Sequence, residues 1–153
     1  MSTTLNKNFL SPNGFRLIID RQEFADVEYF CINSALPNVS AGAISQSYRN
    51  LQNTYAGERV EYSPFDIRYM ITENMENYIS LFNWIVSNAN EGIKTADMTL
   101  NILNSNNNVI RQVRFVDAFP VSIGQLDFHS QNTDVEYIIG DASFSYSHFY
   151  FIT

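Results

Sequence analysis

Hydrophobic and polar residues alternate along most of this sequence with a period of two, which is typical of strands half-buried in a sheet. The closing stretch, 119–151, shows the pattern best, because Ala142, Phe144, Tyr146 and His148 alternate with three serines. We interpret this stretch as two strands that flank a polar turn. The same spacing predicts further strands over residues 15–20, 27–36, 65–71, 96–103 and 109–119, with Pro120 breaking or bending the chain before the closing pair.

One segment departs from the period of two. Its apolar residues follow helical spacing, which predicts a single amphipathic helix over residues 73–87. Thr72 can cap the start of this helix, and the Asn- and Gly-containing segment 88–92 is expected to end it. Because its apolar stripe would pack on a sheet, we interpret Trp84 and Phe82 as structural residues.

These elements predict a mainly β (α+β) protein. Eight or nine strands and one flanking helix fit a two-sheet β-sandwich or barrel. At 153 residues the chain is expected to form a single domain, with residues 1–10 as a flexible or docking arm.

Residues 38–62 have two polar faces and no clear apolar one. We predict a long hairpin here, with a turn at Gly57. Such a hairpin gains little from a core of its own, and its open edges can pair with a second chain. A surface loop is the alternative.

The net charge of −7 is unevenly spread. Five acids follow Phe115 and no Lys or Arg does, so this segment repels phosphate; ordinary solubility charge is the alternative reading. The nine Lys and Arg residues form no basic run, so nucleic-acid recognition is not predicted.

Candidate catalytic chemistry is sparse. Asp127 and His129, two residues apart on a predicted strand, could touch one ligand, although a surface or half-buried histidine is the commoner case. Cys31 is the only cysteine and is expected to be a buried structural thiol. We see no motif for a metal, a cofactor or a nucleophile, and no signal peptide or membrane anchor, so catalytic, cofactor-binding and metal residues are predicted to be none.

Several segments, in their order and spacing, resemble the tail-tube proteins of contractile-tailed bacteriophages. They are Ala35–Pro37, Tyr55–Arg59, Met70–Asn74, Leu81–Trp84 and Phe119–Phe128. The resemblance implies a sandwich or barrel with a flanking helix, similar in fold to baseplate tube initiators and type VI secretion tube proteins. It also implies hexameric rings that stack into a hollow tube, whose lumen DNA traverses without specific binding.

The resemblance gives the unusual segments a role. The hairpin, taken as 43–68, becomes a contact between subunits or rings, with Tyr48, Arg49, Leu51, Tyr55, Arg59 and Tyr62 as its candidate interface residues. The acids of the closing segment become candidates for the lumen wall, namely Asp127, Asp134, Glu136 and Asp141. The implied partners are further copies of the chain and the sheath, baseplate or tube-initiator, tape-measure and tail-terminator proteins. The expected location is the virion tail, assembled in the host bacterial cytoplasm.

Three other functions stay open. The chain could be a baseplate tube-initiator or tail-terminator subunit of the same fold, although initiators tend to carry extra domains. It could be the inner tube of a contractile injection or secretion system. A β-sandwich hydrolase or ligand-binding protein that uses Asp127 and His129 is the alternative from a different class.

Overall fold

The computed structural model describes residues 9–10, 12–20, 31–48, 51–130 and 137–152, and for 43–48 and 51–58 it describes the backbone alone. Nine strands and one helix are present in this part of the chain. They are β1 (Phe15–Ile19), β2 (Cys31–Ser34), β3 (Val39–Tyr48), β4 (Leu51–Tyr62), β5 (Phe65–Met70), α1 (Glu76–Glu91), β6 (Ala96–Leu103), β7 (Val109–Ile123), β8 (Ile139–Ser145) and β9 (His148–Ile152).

Six strands follow one antiparallel path, β1-β6-β7-β8-β5-β2, and a seventh, β9, pairs with β7. β7 belongs to two sheets, because its first part pairs with β6 and β9 while its end pairs with β8. The first sheet therefore contains β1, β6, β7 and β9, and the second contains β2, β5, β8 and the end of β7. β3 and β4 pair only with each other among the described strands. This confirms the predicted mainly β fold with two sheets and a helix.

The two sheets share one core. Leu17, Leu100 and Phe115 of the first sheet and Phe65 and Phe144 of the second belong to the same buried cluster. The rings of Phe65 and Phe115 lie 4.4 Å apart between centroids, so the sheets are in direct contact. Burial of each such side chain contributes about 1.5–3 kcal/mol, and this core is the main source of stability in the described part of the chain.

β7 carries a bulge at Asp117 and continues through Pro120, where a break or bend was predicted. Asp117 has a positive φ of 53°, and the register between β6 and β7 shifts beside it. The Asp97 side chain holds this bulge, accepting hydrogen bonds from the Asp117 amide (3.1 Å) and from Arg114 (3.0 Å). These bonds lower the pKa of Asp97, the amide bond most. Pro120 lies inside β7 because the ladder shifts between it and Ser122, as is usual for a proline in a sheet.

The helix begins and ends later than predicted. Thr72 does accept a hydrogen bond from the Glu76 amide (3.1 Å), but residue 75 has a left-handed backbone and the helix starts at Glu76. It continues through Asn88 and Asn90 and stops at Gly92, whose φ of 101° suits glycine. Local side-chain bonds at 72–77 therefore delay the start of the helix.

The residues that α1 buries against the sheet are only in part those predicted from the sequence. Trp84 is buried, and its indole N–H donates to the Lys94 carbonyl (2.8 Å), which confirms its structural role. Phe82 is 48% exposed, so the prediction that it is structural was wrong. Asn77 is buried beside Leu81, and its amide donates to the Met70 carbonyl (2.7 Å). The helix is therefore fixed to the end of β5 by a polar contact.

β8 and β9 form one strand interrupted by a kink. The register between β7 and this strand is the same on both sides, since Phe119 pairs with Ser145 and Val116 with His148. Between them the Ser147 amide donates to the Val116 carbonyl (2.9 Å). The predicted alternation holds for β8 but fails at His148, which is exposed because the kink precedes it.

Several smaller predictions can also be compared with the structure. The Asn-rich turn between β6 and β7 is confirmed, with Asn107 at a φ of 61°. The predicted turn at Gly57 is wrong, because Gly57 lies within β4 beside a register shift. The predicted strand at His129 is also wrong, since residues 124–129 form no regular element. Much of the predicted turn after Ser130 and residues 1–8 of the predicted arm lie outside the described residues.

Candidate assembly surfaces

The β3–β4 hairpin is fastened to the sandwich at its base. The Asn38 amide donates to the Ser63 hydroxyl (2.8 Å), and the Ser63 amide donates to the Asn38 carbonyl (3.0 Å). The hydroxyl of Tyr146, at the kink after β8, donates to the Ser63 carbonyl (2.7 Å). Burial, together with nearby Tyr62, raises the pKa of Tyr146 to about 12, so this donor stays protonated at neutral pH. The hairpin therefore leaves the sandwich from a fixed point.

Beyond that base the hairpin stands apart from the sandwich. Val39, Val60 and Glu61 are exposed on it. Neither strand packs extensively on any other element among those described. A two-stranded ribbon without a core is marginal on its own in water, so this one is suited to pairing with another chain.

The predicted interface residues occupy different parts of the hairpin. Tyr48 and Leu51 pair across the ladder at its far end, and Tyr55 pairs with Ile44. Arg59 is exposed on β4. Tyr62 is half-buried at the base of the hairpin. Its ring centroid lies 6.1 Å from that of Tyr146 and 5.2 Å from that of Phe149, so Tyr62 anchors the hairpin to the sandwich. Arg49 lies outside the described residues.

The outer face of the second sheet is polar and uncovered in the described structure. We call it the polar sheet face; it contains Asn33, Asp66, Arg68, Ser122, Asp141 and Ser143, which line a shallow depression of about 370 Å³. Arg68 donates from Nε to the Asp141 carboxylate at 3.1 Å, with both side chains more than half exposed. This pair contributes little to stability but lowers the local negative charge.

The four predicted lumen acids are not brought together as one described cluster. Asp141 lies on the polar sheet face and is compensated by Arg68, a base that sequence order alone did not place beside it. Asp127 lies in the exposed segment after β7, and its carboxylate accepts a hydrogen bond from the side-chain amide of Gln125 (Nε2) at 3.1 Å. Asp134 and Glu136 lie outside the described residues.

Two edges of the second sheet are unpaired. β2 pairs with β5 on one side, and residues 119–123 of β7 pair with β8 on one side. On their other sides neither is paired with a described strand. Such edges can accept a strand from another chain.

The structure offers little for catalysis or for metal binding. Asp127 and His129 are exposed on an irregular segment, with no strand to hold them on one face. Burial raises the pKa of the Cys31 thiol to about 11, which keeps it protonated and unreactive at neutral pH. Within the described ranges no three His, Cys, Asp or Glu side chains group as metal ligands would. None of the helices described is both long and apolar enough to span a membrane.

Comparison of the sequence with protein families decides the class. Residues 4–111 match the family described as phage tail tube protein. The chain belongs to this family. Its members are structural tube proteins, which confirms both the resemblance seen in the sequence and the prediction that this tail-tube-type protein is structural rather than an enzyme. Among proteins with curated descriptions, none matches the sequence significantly.

Solved structures show how widely the fold is shared. A chain of the PVC extracellular contractile injection system, from its sheath-tube complex in the extended state, is 15% identical, covers 95% of this chain and 93% of its own, and superposes with a TM-score of 0.68. A chain from the PVC sheath/tube terminator in the extended state is 14% identical and has a TM-score of 0.73. The match covers 96% of this chain and 99% of that chain. A type six secretion system protein is 11% identical and has a TM-score of 0.58. The match covers 90% of this chain and 81% of that chain. At these identities the likeness concerns the fold.

Proposed function

We propose that six copies of this tail tube protein close into a ring, and that rings stack into the hollow inner tube of a phage tail through which DNA passes. The observation that carries this proposal is the β3–β4 hairpin, which stands off the sandwich without a partner strand among those described. A protein that worked as a monomer would gain nothing from exposing such a ribbon, whereas a subunit can use it as a contact.

The second sheet supports ring closure. Its unpaired edges, on β2 and at 119–123 of β7, lie on opposite sides of the same sheet. Pairing the first edge of one copy with the second edge of the next is a heterologous contact, and a ring closes when the rotation between copies allows it. A barrel closed in this way leaves the second sheet without an open edge.

The polar sheet face is our candidate for the lumen wall. Asp66 and Asp141 outweigh Arg68 there, so the face carries a small net negative charge. Asp127, Asp134 and Glu136 would add to it if they reach the lumen. A wall rich in Lys and Arg would hold DNA through many phosphate contacts, and this wall instead lets DNA slide.

The partners follow from the role. A tube of this kind would contact the sheath on its outside, the baseplate or tube initiator at one end and the tail terminator at the other, with the tape-measure protein inside it. It would reside in the virion tail after assembly in the cytoplasm of the host bacterium. The solved complexes of the PVC system support these contacts, because their chains of this fold come from sheath-tube and terminator assemblies.

Electron microscopy of the purified full chain tests the proposal. We expect six-fold rings and hollow polymers of stacked rings. Arg59→Glu, which reverses an exposed charge on the hairpin, should leave the circular dichroism spectrum unchanged and abolish the polymers. A wild-type protein that stays monomeric at high concentration would overturn the proposed assembly.

A second function is favoured by one observation. A chain from the terminator complex of the PVC system shares the fold with a TM-score of 0.73, and we propose as the alternative a terminator of the tube, or a tube subunit of an injection system. A terminator would form single rings that do not stack, and the same micrographs would show this.

A further inference from the structure

The bulge at Asp117 changes which side chains of β7 are buried. Val113 and Phe115 are buried before it and Ala118 is buried after it, so the buried positions change from odd to even numbers. The ladder with β6 explains the change, because two residues of β7 lie there opposite Asp97 alone. Without the extra residue, the side chains after the bulge would turn to the other face of the sheet.

The bulge lies where β7 passes from the first sheet to the second. Val116, just before it, pairs with His148 of β9, and Phe119, just after it, pairs with Ser145 of β8. Because a bulge bends a strand and increases its twist, this one sets the direction in which residues 119–123 leave the first sheet. These residues form the edge of the second sheet that is unpaired among the described strands and that the proposed ring uses.

Asp97 connects the bulge to the neighbouring parts of the first sheet. Its carbonyl accepts a hydrogen bond from the Asp20 amide (2.9 Å), just beyond the end of β1. Its carboxylate accepts from the Asp117 amide (3.1 Å) and from a terminal nitrogen of Arg114 (3.0 Å). Asp117 has a positive φ of 53°, which residues other than glycine seldom adopt, and its own side chain is exposed. The conformation of Asp117 therefore depends on the carboxylate of Asp97 rather than on packing of its own side chain.

We propose that Asp97 is a positioning residue for ring closure, because the bulge that it holds directs residues 119–123 of β7 towards β2 of the next copy. This inference rests on the proposed function, since it requires rings. Pairing of these two edges closes a ring only if the rotation between copies allows it. Without the carboxylate of Asp97 the bulge samples other backbone conformations, and the edge is then presented at other angles. If about one copy in ten holds the required conformation, the apparent affinity of each contact falls about tenfold.

Two substitutions at the exposed Asp117 form a matched test, because both remove one acid without removing buried packing. Asp117→Val places a β-branched residue at a positive φ, whereas Asp117→Gly places there the residue that adopts it without strain. We expect Asp117→Val to raise the concentration at which half of the chains are in rings by about tenfold. Asp117→Gly should leave that concentration within about threefold of the wild-type value. Mass photometry of the full chain measures both.

Substitution of Asp97 tests the residue itself. Asp97→Ala removes both carboxylate bonds and should raise the same concentration by about tenfold. Asp97→Asn can still accept the hydrogen bond from the Asp117 amide and should stay within about threefold of wild type. Val113→Ala is the control for stability, since it removes buried packing from the same strand and leaves the bonds of Asp97 in place. It should form rings at the wild-type concentration, at a temperature where circular dichroism shows every variant to be folded.

The comparison of these variants separates a failure of this inference from a failure of the proposed function. Normal ring formation by Asp117→Val and Asp97→Ala would overturn the role of Asp97 while leaving the proposed function intact. Rings lost in Val113→Ala as much as in Asp97→Ala would mean that stability, rather than the direction of the edge, decides closure. If Asp97→Ala does not fold, the two variants at the exposed position 117 decide the question. A wild-type chain that forms no rings would overturn the proposed function and the role of Asp97 with it.

Discussion

The sandwich and the β3–β4 hairpin both consist of antiparallel strands, yet they differ in how far their side chains are buried. In the sandwich Phe65, Phe115 and Phe144 are fully buried, and the two sheets meet across them. On the hairpin most of the described side chains near the base, such as that of Val60 at 50% exposure, face solvent, and Tyr62 is the half-buried exception. The backbone ladder is the same in both regions, so hydrogen bonding alone does not explain why one region is stable. The core stabilises the subunit, and the hairpin is left available for another chain.

The largest expected effect tests the core side of this contrast. Phe115→Ala removes a ring that contacts Phe65 and Tyr146, and it should lower the free energy of unfolding by about 3–5 kcal/mol. Phe82→Ala is the matched control, because Phe82 is 48% exposed on the helix and its truncation should cost less than about 0.5 kcal/mol. Urea denaturation of the unassembled subunit measures both. Similar losses in the two variants would mean that burial does not separate the regions as we describe.

This contrast also explains how much the sequence could predict. The sandwich strands were predictable because a sheet with one buried face imposes a period of two on its own residues. The hairpin was predictable for the opposite reason. A long strand-like segment without an apolar face cannot belong to a core. In both cases the signal is local and repeated along the strand.

The missed features depend on residues distant in sequence. The bulge at Asp117 is held by Asp97, twenty positions earlier. The delayed helix start depends on Asn77, whose side-chain amide donates to the Met70 carbonyl. The sequence signal for a buried Asn77 was its position on the same helix face as Leu81 and Trp84. An apolar groove between the end of β5 and the start of β8 combines three separate segments, 70–75, 126–128 and 137–138, so no single stretch of sequence indicates it.

A smaller effect is expected where the two regions join. Tyr146→Phe removes the hydrogen bond to the Ser63 carbonyl and should lower the free energy of unfolding by about 0.5–1.5 kcal/mol at pH 7. In the folded chain the pKa of Tyr146 is about 12, above the value of about 10 expected when it is unfolded. Its contribution is therefore complete below about pH 10 and is lost as the pH rises towards 12.

Unfolding measured between pH 8 and pH 11.5 should show this dependence, with the difference between wild type and Tyr146→Phe shrinking as the pH rises. Tyr69, whose pKa is also raised to about 12 by burial, remains in both proteins and should keep some alkaline dependence in each. A difference that stays constant or grows with pH would show that the Tyr146 hydroxyl does not stabilise the base of the hairpin.

The smallest effect on stability should come with a complete loss of assembly. Ala41 and Val60 are ladder partners, so residues 42–59 can be replaced by Asn-Gly, which forms a tight two-residue turn. The free energy of unfolding should change by less than about 1 kcal/mol, because neither removed strand packs extensively on another described element and the shorter loop costs less entropy. Electron microscopy should show no stacked polymers of this variant, whereas Phe115→Ala, studied cold enough to remain folded, should still stack. The two variants thus separate stability from assembly. If the shortened chain unfolds, the hairpin supports the core; if it stacks normally, the contact between copies lies elsewhere on the sandwich.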